Sequence, residues 1–367
     1  MAVYLMLTVL TIGLASLTVH NAPAHSRALA LNRTVICAIF VLLFAVSALR
    51  YRVGNDYWWY TEIMHEISVL HHPGAMRIVP TEPLFNGIVW LIYNLSGTDN
   101  YLLAFAVMSF LTAAGFLYVI YRQSNNFFLS YTMFLLLCFY FQSFSTVRYY
   151  AALPLALMAL PHALRGDWPR FALLVLTGGL LHKTLFAVFL LYPLARIRWN
   201  KILIAAGAAL GAFCILFPDV VMRAGLLVYP TWEQAGKAAM QGSFSLLNVL
   251  RCALVLLFVA WNARNNRDIL ADESVRMQTK MTFMALVMYL VLWFVPQLSR
   301  LTYYLIVPQI LLVPRVLMYV EDRREKRIQT ALVIGACALY FCRYMLHAAE
   351  DGIRVLPYAS FLFSFTH

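Results

Sequence analysis

The chain has 367 residues, of which 62% are hydrophobic and only 12% charged. A soluble domain is about half apolar and a quarter charged, so a water-soluble globule is excluded and an integral membrane protein is implied. The net charge of +12 comes without a long basic cluster, which excludes nucleic acid as a partner; loops obeying the positive-inside rule account for it.

Lipid offers no partner to irregular backbone, so the spans must be helical. At about 20 residues per span, the chain has room for roughly 9 to 11 transmembrane helices in one all-α polytopic membrane domain, and none for a separate soluble domain. The first span covers about 2–20 and the second about 34–49, joined by a loop carrying Arg27 and Arg33. Ala22-Pro23-Ala24 resembles a cleavage site, but the first segment lacks a positive n-region and no cleavage is expected. The polar loop 50–82 then holds Arg50, Arg52, Asp56, Glu62, Glu66, Arg77 and Glu82 beside Tyr51, Tyr57, Trp58, Trp59 and Tyr60. A short apolar segment, 83–96, is broken by Ser96-Gly97-Thr98-Asp99-Asn100. Spans follow at 101–121, 127–142 and 149–164, the last two separated by Phe144–Arg148. The apolar segment 171–194 is interrupted by Gly178-Gly179 and by His182-Lys183. Spans at 202–217, 244–261, 281–296, 301–319 and 328–346 complete the chain, with loops 218–243, 262–280 and 321–327 and a tail from 347.

The loops 21–33, 196–201, 262–280 and 321–327 carry 13 Lys and Arg and fall on one side, which is therefore cytoplasmic. Loops 50–82 and 218–243, the break at 297–300, the tail and the N-terminus then face outward. If 83–96 and 171–194 both crossed fully, Arg122, Arg165 and Arg170 would end outside. The charges favour one or two re-entrant or half-helices instead, with 83–96 remaining at the outer side and 171–194 turning back at His182. Such backbone is tolerated at depth where it is buried in protein or lines a cavity. The six cysteines (Cys37, Cys138, Cys214, Cys252, Cys337, Cys342) lie in apolar segments without a CxxC pair and read as small hydrophobes.

In this arrangement Asp56, Glu82, Arg148, His182 and Arg300 approach one end of the bundle. Asp56 follows Gly54, which frees the backbone to turn. A carboxylate beside aromatic rings suits a sugar, whereas the structural alternative is an aromatic belt with Asp56 as a helix cap. Glu82 precedes Pro83 and suits a helix N-terminus on structural grounds alone. Arg148 has no nearby acid in sequence, and a charge at membrane depth costs about 2.5–3.5 kcal/mol on insertion scales; snorkelling is its structural alternative. His182 and Lys183 are costly inside an apolar run unless they line a wet cavity. Arg300 precedes Tyr303 and Tyr304, and its planar fork matches phosphate oxygens. Arg50 and Arg52 read either as interfacial anchors or as part of an anion clamp. No His pair at ligand spacing, DxD or HExxH suggests a metal, and no Walker sequence or nucleophile elbow is present.

Taken in order, Arg50-x-x-x-Gly54-x-Asp56-Tyr57-x-x-Tyr60, Glu82-Pro83-Leu84-Phe85, Arg148 opening a small-residue helix, His182-Lys183 in a Leu-rich segment and Arg300-Leu301-Thr302-Tyr303-Tyr304 resemble the EpsG family. The resemblance covers roughly residues 40–310 and departs from the commonest pattern at Asn55, where Thr is usual, and at Tyr149, where Gln is usual. It implies a bundle of the GT-C type and a Wzy-type polysaccharide polymerase in the bacterial inner membrane, acting at the periplasmic face without cofactor. The implied partners are undecaprenyl diphosphate-linked oligosaccharides, membrane lipid and a chain-length regulator protein. A growing glycan would leave its diphosphate lipid for the non-reducing end of a new lipid-linked repeat unit. The leaving diphosphate needs cations, with Arg148 and Arg300 first and Arg50, Arg52 and Lys183 beside them. The acceptor hydroxyl needs a base, with Asp56 ahead of His182 and Glu82. Tyr57, Tyr60, Tyr303 and Tyr304 would stack on sugar. Two rivals use the same features differently. A lipid-linked oligosaccharide flippase needs the arginines but no base, and a membrane sugar acyltransferase would want a histidine on an early membrane helix, where spans one and two have only His20, at an end.

Overall fold

The computed structural model describes residues 1–19, 26–69, 79, 81–98, 100–228, 244–295 and 298–362. His20, Ala22–Ala24, Arg77, Asp99, Gln297 and 229–243 of the second loop lie outside the described residues. The described chain is helical, with one isolated β-bridge, Arg50 to Ser360.

The first helices are α1 (Ala2–Ser16), α2 (Arg27–Ala48), α3 (Tyr57–Val69), α4 (Pro83–Ser96) and α5 (Tyr101–Gln123). Ser26 caps α2 and Asn100 caps α5, each accepting a backbone N–H of the first turn. An apolar run then splits into α6 (Phe127–Leu136) and α7 (Phe139–Gln142) at Cys138, whose φ is 61°. Helix α8 (Val147–Arg165) is followed by α9 (Trp168–Leu181), a 3-10 turn (Lys183–Ala187) and α10 (Val188–Arg196). The second half comprises α11 (Lys201–Leu216), α12 (Pro218–Val228), α13 (Leu246–Asn265), α14 (Asp268–Ala271), α15 (Glu273–Val291), α16 (Leu298–Ile306), α17 (Gln309–Met318) and α18 (Arg323–Leu346). Helices α5, α6, α8 and α17 supply the core, where Phe116, Phe134, Leu153 and Leu312 are essentially inaccessible.

Five described stretches are long and apolar enough to cross a membrane: α2, α5, α13, Arg300–Met318 and α18. The pair α11–α12, bent by 94°, makes a sixth if it is one span. The expected 9 to 11 rested on chain length at about 20 residues per span, with one or two half-helices allowed. Several runs are instead short helices, as in α1, α6 and α9, and one folds back on itself.

That fold-back is the segment 168–196. The Arg196 Nε donates to the Leu164 carbonyl at 3.1 Å, and its guanidinium lies 5.4 Å from the Trp168 ring. The segment therefore returns to the end of the bundle from which it started, with His182 at its turn. Gly178 and Gly179 permit the turn: a Cβ on either would collide with Leu185 or Phe186 of the returning strand of chain. Lys280 donates to the Ile197 carbonyl at 2.7 Å, so α15 approaches the same end. Helix α4 behaves differently. Its first residues meet α8 and the turn at His182, while its far end leads to Tyr101, whose ring lies 6.2 Å from Phe361 in the tail. Both ends of α4 thus lie at the opposite end of the bundle, where the loop at 50–56 sits.

Candidate active site

The loop at 50–56 is built against the C-terminal tail. Tyr51 N–H donates to the Ala359 carbonyl at 2.9 Å, and Gly54 N–H to the Arg354 carbonyl at 2.8 Å. Asn55 Nδ2 donates to the Gly352 carbonyl at 3.0 Å, and Phe361 N–H to the Leu49 carbonyl at 2.9 Å. Gly54 has φ +103°, and a side chain there would strike the Phe144 carbonyl, so only glycine fits. Ser145 completes the join, donating to the Ile353 carbonyl at 3.1 Å.

Five stretches distant in sequence meet at the start of α8. Glu82 pairs with Arg148 through Oε2 and accepts the Lys183 backbone N–H through Oε1 at 3.2 Å. The Arg148 guanidinium sits 5.2 Å from the Trp59 ring, 5.4 Å from Phe85 and 5.7 Å from Tyr60. Its Nε is buried without a hydrogen-bond partner among the described residues. Tyr149 links the other two stretches. Its hydroxyl donates to the Arg300 carbonyl at 2.8 Å, and its ring stands edge-on to His182 at 5.2 Å. His182 is buried, with Nδ1 2.7 Å from the Thr184 hydroxyl, which lies 2.9 Å from the Tyr304 hydroxyl.

Above this junction opens a cleft of about 430 Å³. Asp56, Tyr149, Arg300, Tyr303, Tyr340 and the tail at Gly352-Ile353 are among its walls. Ser145 and Thr146 also line it, so the positive N-terminal end of α8 opens onto the same space. Burial pushes the Asp56 carboxyl above its ordinary range; the charges of Arg300 and then Arg148 pull it back only in part. Among the described residues, neither Asp56 nor Arg300 belongs to an ion pair. The arrangement can therefore present a carboxylate and a cation to one bound molecule.

The remaining candidates are placed elsewhere. Arg50 is in the core, 1% exposed, between the Phe105 and Phe144 rings, with Nη1 bonded to Ser47 and Ser109. Arg52 lies over Tyr51 and Trp58 and lines a second cleft, of about 550 Å³, between α3, α4 and α5. Tyr57 stacks on Phe105 at 5.0 Å and borders that second cleft, while Tyr60 is buried against Arg148. Tyr304 is buried behind Tyr149, and of the four expected sugar-stacking tyrosines only Tyr303 lines the cleft with Asp56. Lys183 approaches Glu82 through its backbone.

Sequence reasoning did not find Gln142, whose Oε1 accepts from Tyr150 at 2.7 Å and from Tyr303 at 2.9 Å. It fixes two rings of the cleft. Its only sequence signal is a polar residue between Phe141 and Phe144. The tail at 352–361 was missed as well; a glycine after the last span was its one trace. Among the described residues no group of three or more His, Cys, Asp and Glu is placed to hold a metal ion.

No curated protein and no solved structure matches the chain. One family model does, over residues 33–360, a range that takes in every stretch meeting at the cleft, from the loop at Asp56 to the tail. Matched over nearly its whole length, the chain belongs to the EpsG family, a polymerase-like family of exopolysaccharide synthesis.

Proposed function

We propose that this protein is a metal-independent membrane glycosyltransferase that lengthens an exopolysaccharide or O-antigen from polyprenyl diphosphate-linked units, with its cleft at the periplasmic face of the bacterial inner membrane. The observation that carries the reading is that Asp56 and Arg300 line one tyrosine-walled cleft. The transfer needs little else. The acceptor sugar hydroxyl attacks the anomeric carbon, the bond from that carbon to the diphosphate oxygen breaks, and the diphosphate leaves with the electron pair. Asp56 takes the hydroxyl proton as general base. Arg300, with Arg148 behind it, offsets the charge that develops on the leaving group. Glu82 has both oxygens engaged by Arg148 and Lys183, so its role is to aim Arg148 rather than to take a proton. His182, through its contact with Tyr149, holds the wall of the cleft.

A gel of surface polysaccharide from a deletion strain carrying Arg300→Ala or Asp56→Asn tests the reading. Single lipid-linked repeat units without polymer are expected in both. Normal chain length in the Asp56→Asn strain with loss in the Arg300→Ala strain would favour a transporter, which binds diphosphate but needs no base.

A further inference from the structure

A large groove lies away from the loop at Asp56. It has a volume of about 950 Å³, runs between α13 and α18, and has α6 and α17 as its floor. Its lining is mostly apolar, and Leu254 on α13 and Leu332 on α18 line it with 58% and 68% of their surface open. Bulk lipid would cover such a face without further provision. Two features go beyond what bulk lipid requires.

The first is Arg251, on the α13 wall and 8% exposed. Its Nε donates to Gln309 Oε1 at 2.8 Å, its Nη2 to the Ile306 carbonyl at 3.3 Å, and its guanidinium lies 4.8 Å from the Phe139 ring. Its Nη1 has no partner among the described residues. An arginine so placed in an apolar segment is costly, and such residues mark ligand sites. The second is continuity. Tyr340 lines both the groove and the cleft that holds Asp56 and Arg300. One turn further along α18, Arg343 lines the groove and Tyr344 lines the cleft. The groove and the cleft therefore adjoin at Tyr340, with Arg300 lining the cleft and Arg343 and Arg251 lining the groove.

The geometry points to this groove as the seat of the polyprenyl chain of a lipid diphosphate, with the phosphate-bearing end at the Tyr340–Arg343 junction and the hydrocarbon between α13 and α18. A single long branched chain with an anionic head matches an apolar trough whose end beside the cleft carries Arg251 and Arg343 close to Arg300, with Arg264 at the opposite end. This inference rests on the glycosyltransferase reading, since it assigns the lipid of that substrate.

Binding to the purified full-length protein in detergent tests it, with undecaprenyl diphosphate and the two-isoprene geranyl diphosphate as probes and phosphatidylglycerol as competitor. Leu254→Trp and Leu332→Trp fill the groove from residues that contribute little to the core. Each is expected to weaken the long probe by about tenfold, equivalent to about 1.4 kcal/mol, and to leave the short probe unchanged. Arg343→Gln is expected to weaken both probes alike. Unaltered long-probe affinity in the Trp variants, equal weakening of both probes by them, no effect of Arg343→Gln, or equal displacement by phosphatidylglycerol would each overturn the groove assignment while leaving the cleft untouched. A wild-type protein that binds the short probe but not the long one also overturns it. If neither diphosphate binds the wild type, the glycosyltransferase reading fails with it.

Discussion

Two acid–arginine pairs sit at opposite ends of the bundle, and they are built differently. At the end reached by the fold-back, Asp272 caps α15 by accepting from Ser274 N–H at 2.8 Å and Val275 N–H at 3.3 Å. Its other oxygen meets Arg315 Nε at 2.6 Å and the Tyr319 hydroxyl at 3.0 Å. Every acceptor position is used. Although burial works the other way, those bonds hold the Asp272 carboxyl below its ordinary range. At the far end Glu82 and Arg148 also pair, but Arg148 Nε is unpartnered among the described residues, and beside it Asp56 and Arg300 face an open cleft. The Asp56 carboxyl is pushed up, not down. A pair that is satisfied is a fastener. Polar groups left wanting partners around a cavity form a site.

That distinction can be broken by experiment. The largest effect is expected from Asp56→Asn, which removes the proposed base and should reduce polymer formation by on the order of 10²–10⁴-fold while the protein still folds, as read by in vitro transfer and size-exclusion profile. Next comes Arg300→Ala, with a loss on the order of 10²–10³-fold and accumulation of single-repeat lipid. Glu82→Gln keeps its shape but loses the charge that aims Arg148, and a loss of about tenfold, or about 1.4 kcal/mol, is expected in kcat/KM. A full loss there would mean that Glu82 takes the proton. The acid side of the pH–rate profile sharpens the contrast further. A base with a raised pKa is protonated, and idle, until the pH exceeds a value above the ordinary carboxylate range. Activity should therefore rise with pH through that value. The smallest effect is reserved for the fastener. Asp272→Ala should lower stability by about 1 kcal/mol through loss of its cap and leave turnover per folded molecule unchanged. Because its folded pKa is depressed, the stability Asp272 contributes is full above the ordinary carboxylate pKa and is lost as pH falls through the depressed value.

Much of this was legible from the residue types alone, for a physical reason. A charge inside an apolar run is expensive, so Arg148, His182-Lys183 and Arg300 stand out in the sequence itself, and in the fold they do meet. The turn at His182 was legible too, because Gly178-Gly179 and a polar pair interrupt one segment. What failed was discrimination between similar residues in different places. Arg50 and Arg52 look alike in sequence, yet one is buried between two phenylalanines and the other lies over Tyr51 and Trp58. Tyr303 and Tyr304 are neighbours, but successive helical residues point about 100° apart, since a turn takes 3.6 residues, and only the first faces the cleft. Gln142 and Arg251 were passed over because each reads as a lone interruption of an apolar stretch; their meaning lies in partners such as Tyr150 and Gln309.

The stapling of the loop at 50–56 to the tail has a consequence for how the protein is made. The carboxylate at Asp56 emerges early in synthesis, but the backbone groups that fix its loop belong to residues 352–359. Every helix from α1 to α18 can be in place before those residues leave the ribosome. A chain stopped at Leu346 would carry Asp56, Arg300 and the tyrosines and still lack a finished cleft. Docking of residues 352–359 is thus the step that completes the cleft, and a polypeptide in which they have not yet docked lacks it.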